Sequence, residues 1–182
     1  LDFFKKTFND YKKQKKLETS AFDAIVYHLP FTKMGLKANR IAVEDQDQAV
    51  TENLETSFEA SKQLSRRVGN IYTASLYMSL LSLLENGNLA AGSLIGLFSY
   101  GSGAMGEFYS GNLVEGYEKE IDQIKDQAML DHRKKLTISE YENVFNTALE
   151  DPEDGVVLES DDKEGTWYFA GTQGHVRQYK VK

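Results

Sequence analysis

A mixed α/β fold, with a mixed β-sheet packed against a buried central helix and further helices at the periphery, is predicted by three observations. Residues 22–28, 94–100 and 104–110 read as strands, the last two joined through Gly101-Ser102-Gly103 as a tight hairpin. The segments between them carry apolar residues at helical spacing. Residues 71–84 are apolar on nearly every face, with only small hydroxyl residues between, as in a helix buried on most sides. No internal repeat or low-complexity linker divides the chain, so 1–182 reads as one unit.

Each element has its own justification. Over residues 2–17, Leu1, Phe4, Phe8 and Tyr11 recur at helical spacing. Lys5, Lys6, Lys12, Lys13, Lys15 and Lys16 then form a polar helix face, which the apolar spacing favours over a nucleic-acid patch. The strand at 22–28 is stopped by Pro30. Residues 31–43 read as a helix with Lys33, Lys37 and Arg40 on one face. Residues 47–66 read as a second helix, with Val50, Leu54 and Phe58 inward and Glu52, Glu55 and Glu59 toward water. Gly69-Asn70 breaks it, and Glu85-Asn86-Gly87 ends the next helix with a glycine C-cap. Residues 118–135 and 137–149 read as helices, the second opened by a capping box from Thr137 to Glu140. Residues 166–171 and 175–181 read as a closing hairpin.

Composition excludes several classes. The 182 residues contain no cysteine, so a disulfide framework, cysteine-ligated zinc, an iron–sulfur cluster and a thiol nucleophile within the chain are out. No apolar run reaches the roughly 18 residues of a membrane helix. The opening Leu-Asp-Phe-Phe-Lys-Lys has no signal-peptide pattern and no initiator methionine, so the chain reads as the interior or end of something longer. The formal net charge of -7 sits in residues 150–164, where eight acids face Lys163 and the remaining charges balance. This run reads as a solvated surface loop. It lacks the alternating acids, central glycine and closing glutamate of a calcium loop.

Few side chains offer chemistry. His28, followed by Leu29-Pro30, stands at the end of a buried strand, placed to act as acid, base or hydrogen-bond donor or to be a satisfied core histidine. Asn70 opens the buried helix, either as a cap or with its amide aimed at developing negative charge. Lys33 and Lys37 suit phosphates or simple solvation. Gly101-Ser102-Gly103-Ala104-Met105-Gly106 matches the dinucleotide pattern G-x-G-x-x-G, but residues 104–110 are strand-like where that site requires a helix. His132 and His175 form no pair with metal-ligand spacing, and no metal site is expected.

Together three segments resemble a known family. Ala-Phe-Asp-Ala-Ile-Val-Tyr-His28-Leu-Pro-Phe-Thr-Lys33-Met-Gly-Leu-Lys37, Arg-Val-Gly-Asn70-Ile-Tyr-Thr-Ala-Ser-Leu-Tyr and Ala-Gly-Ser-Leu-Ile-Gly-Leu-Phe-Ser-Tyr-Gly-Ser102-Gly are similar to motifs of the 3-hydroxy-3-methylglutaryl-CoA synthases. The closing Tyr-Phe-Ala-Gly and His-Val-Arg-Gln-Tyr resemble the bacterial members' C-terminus, while residues 114–165 carry little of the likeness. The resemblance implies a thiolase-like half, the second of two similar α/β halves in a cytoplasmic, usually dimeric acyltransferase. Such enzymes condense acetyl-CoA with acetoacetyl-CoA and water for the mevalonate route to isoprenoids, with CoA thioesters as substrates and no further cofactor. The acetyl-carrying cysteine and the proton-moving glutamate lie in the first half.

The resemblance makes His28 the catalytic histidine that polarises the acetoacetyl ketone. It makes Asn70 and Ser102 acyl-binding residues and puts Lys33 and Lys37 near the CoA phosphates. It implies no nucleic-acid or membrane partner, and an inactive chain in isolation. Two other readings are a ketoacyl-synthase type of condensing enzyme, against which Pro-Phe-Thr-Lys-Met-Gly and Ser-Tyr-Gly-Ser-Gly argue, and a noncatalytic CoA-binding module.

Overall fold

The computed structural model describes residues 1–101, 103–147, 152–160 and 163–182. They divide into two compact units, Leu1–Arg133 and Lys134–Lys182.

The first unit is built on a three-stranded sheet of order β1-β2-β3, with β1 at Ala24–Tyr27, β2 at Leu94–Gly101 and β3 at Met105–Asn112. β1 runs parallel to β2, pairing Ala24 with Ile95 through Tyr27 with Phe98. β2 turns back antiparallel into β3, pairing Gly101 with Met105. Because side chains alternate across a strand, β1 feeds two cores at once. Ile25 and Tyr27 join Phe98 and Phe108 on one face, under the aromatic residues Phe4 and Phe8 of α1 (Asp2–Lys15). α2 (Thr32–Ala42) and α3 (Gln48–Ser61) close that core with Ala38, Leu54 and Phe58. Ala24, Val26, Ile95 and Leu97 point to the other face, against Leu76 and Leu83 of α5 (Ser75–Asn86). All four β1 residues are therefore buried, which is why the strand reads as an unbroken apolar run. Each fully buried aromatic or branched side chain here stabilises the unit by about 1.5–3 kcal/mol.

The helix expected over 47–66 is interrupted at Lys62, and α4 (Gln63–Val68) starts anew. The break frees a carbonyl and an N–H that must find partners. Ser82 of α5 supplies both: its hydroxyl donates to the Ala60 carbonyl at 2.7 Å and accepts from the Leu64 N–H at 3.2 Å. The serines of α5 thus face inward. Ser75, Ser79 and Ser82 are fully buried while Tyr77 is 59% exposed. The expectation of a helix buried on most sides is corrected to one buried on a serine-and-leucine side. A 3-10 turn at Tyr72–Ala74 precedes it, and Gly87 closes it in extended rather than left-handed geometry. There a Cβ would stand 2.6 Å from the Leu83 carbonyl oxygen, so close approach is what favours glycine.

The helix expected over 118–135 is shorter, a 3-10 turn at Tyr117–Glu120 and then α6 at Gln123–Asp131. Arg67 of α4 ties α6 down through Asp131 at 2.6 Å.

The second unit holds α7 (Ile138–Asn146), with the expected capping box between Thr137 and Glu140, and a sheet of order β4-β5-β6. β5 (Trp167–Gln173) and β6 (Val176–Val181) form the expected closing hairpin. β4, Val156–Val157, is an addition: within the acidic run a two-residue strand pairs with β5. Gly171 makes that pairing possible, since a Cβ there would lie 1.7 Å from the Val156 carbonyl oxygen. Two valines are too short a signal to stand out among acids.

Candidate active site

Chain connectivity brings the sequence motifs to one edge of the first sheet. α5 passes to β2 through the short segment 87–93, so it runs antiparallel to β1 and β2. Its N-terminus therefore lies at the carboxyl ends of both strands. His28 follows β1 at that edge, Asn70 precedes α5 there, and Gly101 ends β2 there. α2, which carries Lys33 in its first turn and Lys37 at its middle, sets out from the same edge. The carboxyl ends of parallel strands are where open α/β sheets bind ligands.

The β1–β2 ladder positions His28. Its backbone N–H donates to the Phe98 carbonyl at 2.8 Å, continuing the parallel pairing one residue past Tyr27. Pro30 then ends the strand. The imidazole, half-buried, lines an apolar cavity of about 140 Å³ with Leu1, Phe3, Met34, Phe98 and Tyr100 among its walls. Burial lowers the His28 pKa from its ordinary value, which favours the neutral ring. A neutral imidazole in an apolar wall presents one N–H donor and one acceptor. Beneath it, Tyr27 is fixed by donating its hydroxyl to Asn39 at 3.0 Å, and burial raises the Tyr27 pKa.

Asn70 is exposed, yet its carboxamide oxygen is held by the Tyr72 N–H at 2.8 Å and the Ser75 hydroxyl at 3.0 Å. The expected cap of α5 is corrected: the helix starts at Ser75 with Ala74 at its N-cap position and no side-chain cap, and the Asn70 oxygen instead closes the turn that leads into it. The Asn70 amide nitrogen donates to no described residue. Ser102 lies outside the described residues. Lys33 and Lys37 are exposed and make no ion pair among the described residues, leaving both ammonium groups open to an anion. The glycine turn is followed by β3, as the rejection of a dinucleotide site requires.

His132 ends α6 with its Nδ1 2.6 Å from the Ala128 carbonyl oxygen. Among the described residues no group of three or more His, Asp or Glu could hold a metal ion. No helix among them is long and apolar enough to cross a membrane.

Sequence reasoning missed the cavity walls. Tyr100 and Phe3, with ring centroids 5.8 Å apart, bring the start of α1 over the end of β2. Phe3 is off the inward stripe of α1, and such a long-range pairing leaves no local periodicity to detect. The arrangement offers an apolar cavity with a hydrogen-bonding imidazole on its wall.

The family model described as "Hydroxymethylglutaryl-coenzyme A synthase C terminal" matches residues 39–182. Hydroxymethylglutaryl-CoA synthase of Enterococcus faecalis is 45% identical over 151 residues, covering 82% of this chain and 39% of that protein. A polyketide-biosynthesis 3-hydroxy-3-methylglutaryl-ACP synthase of Bacillus subtilis is 32% identical, over 80% of this chain and 36% of the relative. A crystal structure of an HMG-CoA synthase complexed with CoA superposes over the whole of this chain and 47% of its own, with TM-score 0.90 and 34% identity. The mixed α/β fold is thus the thiolase-like one, and the chain spans less than half the length of these relatives. By its motifs, its fold and its match to the C-terminal model, the chain belongs to the hydroxymethylglutaryl-CoA synthase family, as the C-terminal part of such an enzyme.

Proposed function

We propose that this chain supplies the acetoacetyl-CoA-binding half of a cytoplasmic, homodimeric HMG-CoA synthase whose N-terminal half carries the nucleophilic cysteine and the proton-moving glutamate. The observation that carries this reading is the half-buried His28 at the carboxyl end of β1, lining an apolar cavity, in a chain of this family.

In this reading the acetyl group arrives as a thioester of the other half's cysteine. Loss of a methyl proton gives a carbanion equivalent, which attacks the ketone carbon of acetoacetyl-CoA. A carbon–carbon bond forms, and the ketone π-electrons pass to oxygen. His28 donates a hydrogen bond to that oxygen and stabilises the developing alkoxide, which ends protonated as a tertiary alcohol. Water then cleaves the enzyme thioester, releasing 3-hydroxy-3-methylglutaryl-CoA and restoring the thiol. Asn70 and Ser102 bind the acyl portion, and Lys33 and Lys37 meet the CoA phosphates as point charges. CoA thioesters are the substrates, and no further cofactor enters.

One relative is named for an acyl-carrier-protein substrate, so the carrier is the natural second reading. The two exposed lysines of α2 suit the CoA phosphates. The test pairs the chain with its N-terminal half and compares acetoacetyl-CoA with an acetoacetylated carrier protein. Turnover with acetoacetyl-CoA supports the reading, and turnover confined to the carrier protein contradicts it. The chain alone has no cysteine and is expected to form no product.

A further inference from the structure

We propose that Ser75 is a positioning residue that fixes which end of the Asn70 carboxamide faces the substrate; this rests on the reading of Asn70 as an acyl-binding group. An asparagine amide is nearly symmetric in shape, and on an exposed turn either its oxygen or its nitrogen can face outward. The surrounding hydrogen bonds remove that freedom. The Ser75 hydroxyl accepts the Ile71 N–H at 2.9 Å, so its own proton must go to another acceptor. The Asn70 oxygen takes it at 3.0 Å and also takes the Tyr72 N–H at 2.8 Å. With the amide reversed, its NH₂ would face the Tyr72 N–H, donor against donor, and the Ser75 proton would lose its acceptor.

Ser75 is fully buried, so no water replaces that acceptor, and the penalty falls on the reversed amide. Tyr72 sits at φ 54, a left-handed conformation that a bulky residue adopts only when its surroundings impose it. The Asn70 oxygen is one of those constraints. Asn70 is thereby restricted toward a ligand to donation through its amide nitrogen. It complements an acceptor oxygen, such as a ketone or thioester carbonyl, and disfavours a hydroxyl that must donate.

The test uses the complete two-half enzyme and the variants Ser75→Ala, Asn70→Ala and the double variant, with kcat and KM for acetoacetyl-CoA measured separately. Ser75→Ala is expected to lower kcat by about tenfold, the scale of losing one buried hydrogen bond. Asn70→Ala is expected to lower it by about 100-fold. The double variant is expected to be no slower than Asn70→Ala, because Ser75 acts only through Asn70. Ser75→Cys, which retains a weak donor, is expected to fall between Ser75→Ala and wild type and covers the case of poor folding of the alanine variant. Effects that multiply in the double variant, or a wild-type kcat in Ser75→Ala beside a slow Asn70→Ala, would overturn the role of Ser75. A wild-type kcat in Asn70→Ala would instead overturn the reading of Asn70 itself.

Discussion

The backbone N–H of His28 donates to the carbonyl of Phe98 at 2.8 Å, one residue beyond the Tyr27–Phe98 pair that ends the β1–β2 ladder. The candidate catalytic ring is therefore anchored by the sheet itself rather than by a loop. Its position depends on the parallel register, and that register depends on the two cores into which β1 is packed.

Gly35 tests the packing behind the site. It is buried in α2, and a Cβ there would lie 2.3 Å from Leu29 Cδ2 and 2.8 Å from Phe58 Cε2. Alanine gains up to about 1 kcal/mol in helix propensity. Overpacking a filled core costs about 1–3 kcal/mol. The clash with a ring in the core wins, so Gly35→Ala is expected to lower stability by about 1–2 kcal/mol in urea unfolding. An unchanged midpoint would show that α2 shifts freely.

Glu85 makes stability depend on pH. Burial, then the neighbouring carboxyl of Asp126 on α6, push its pKa up to about 7, with Gln127 opposing them. Between the unfolded value near 4.5 and about 7 the folded state keeps a proton that the unfolded state releases. Stability from this group is therefore full below pH 4.5, declines as pH rises through about 7, and levels off above that, where both states have lost the proton. Glu85→Gln is expected to remove that decline and to raise the melting temperature at pH 8 relative to wild type. A melting temperature at pH 8 lower than wild type would contradict the assignment.

Lys33 and Lys37 offer an electrostatic test. Replacing both with alanine in the complete enzyme is expected to raise KM for acetoacetyl-CoA by about 3- to 10-fold, as exposed ion contacts contribute up to about 1 kcal/mol each. kcat should change little, because such contacts are equal in ground and transition states. The difference should shrink as salt rises. A KM equal to wild type at low salt would remove these lysines from the binding site.

Much of the fold is legible in the chain. β1, β2 and β3 announce themselves through apolar runs and a glycine turn, and α1, α2 and α7 through spacing and caps. The α3–α4 break at Lys62 is not legible, because its compensation comes from Ser82, on a helix further along the chain. The inward serines of α5 mislead for the same reason: a hydroxyl that patches another helix looks in sequence like a tolerated small residue. His28 stands out through its strand and proline. Its cavity partner Tyr100 does not, since the contact with Phe3 spans most of the first unit. Asn70 admits two readings in sequence, cap or ligand group; the structure replaces the first with a turn closed by its oxygen, because a 3-10 turn separates Asn70 from the start of α5.

The most direct measurement of the role of His28 separates the two chemical steps in the complete enzyme. His28→Ala is loaded with radiolabelled acetyl-CoA, and then acetoacetyl-CoA is added in a single turnover. Normal acetyl transfer to the protein is expected, followed by condensation slowed by about 100- to 1,000-fold, the scale of losing one donor to a developing oxyanion. Condensation at the wild-type rate, or loss of acetyl transfer with condensation intact, would contradict that role.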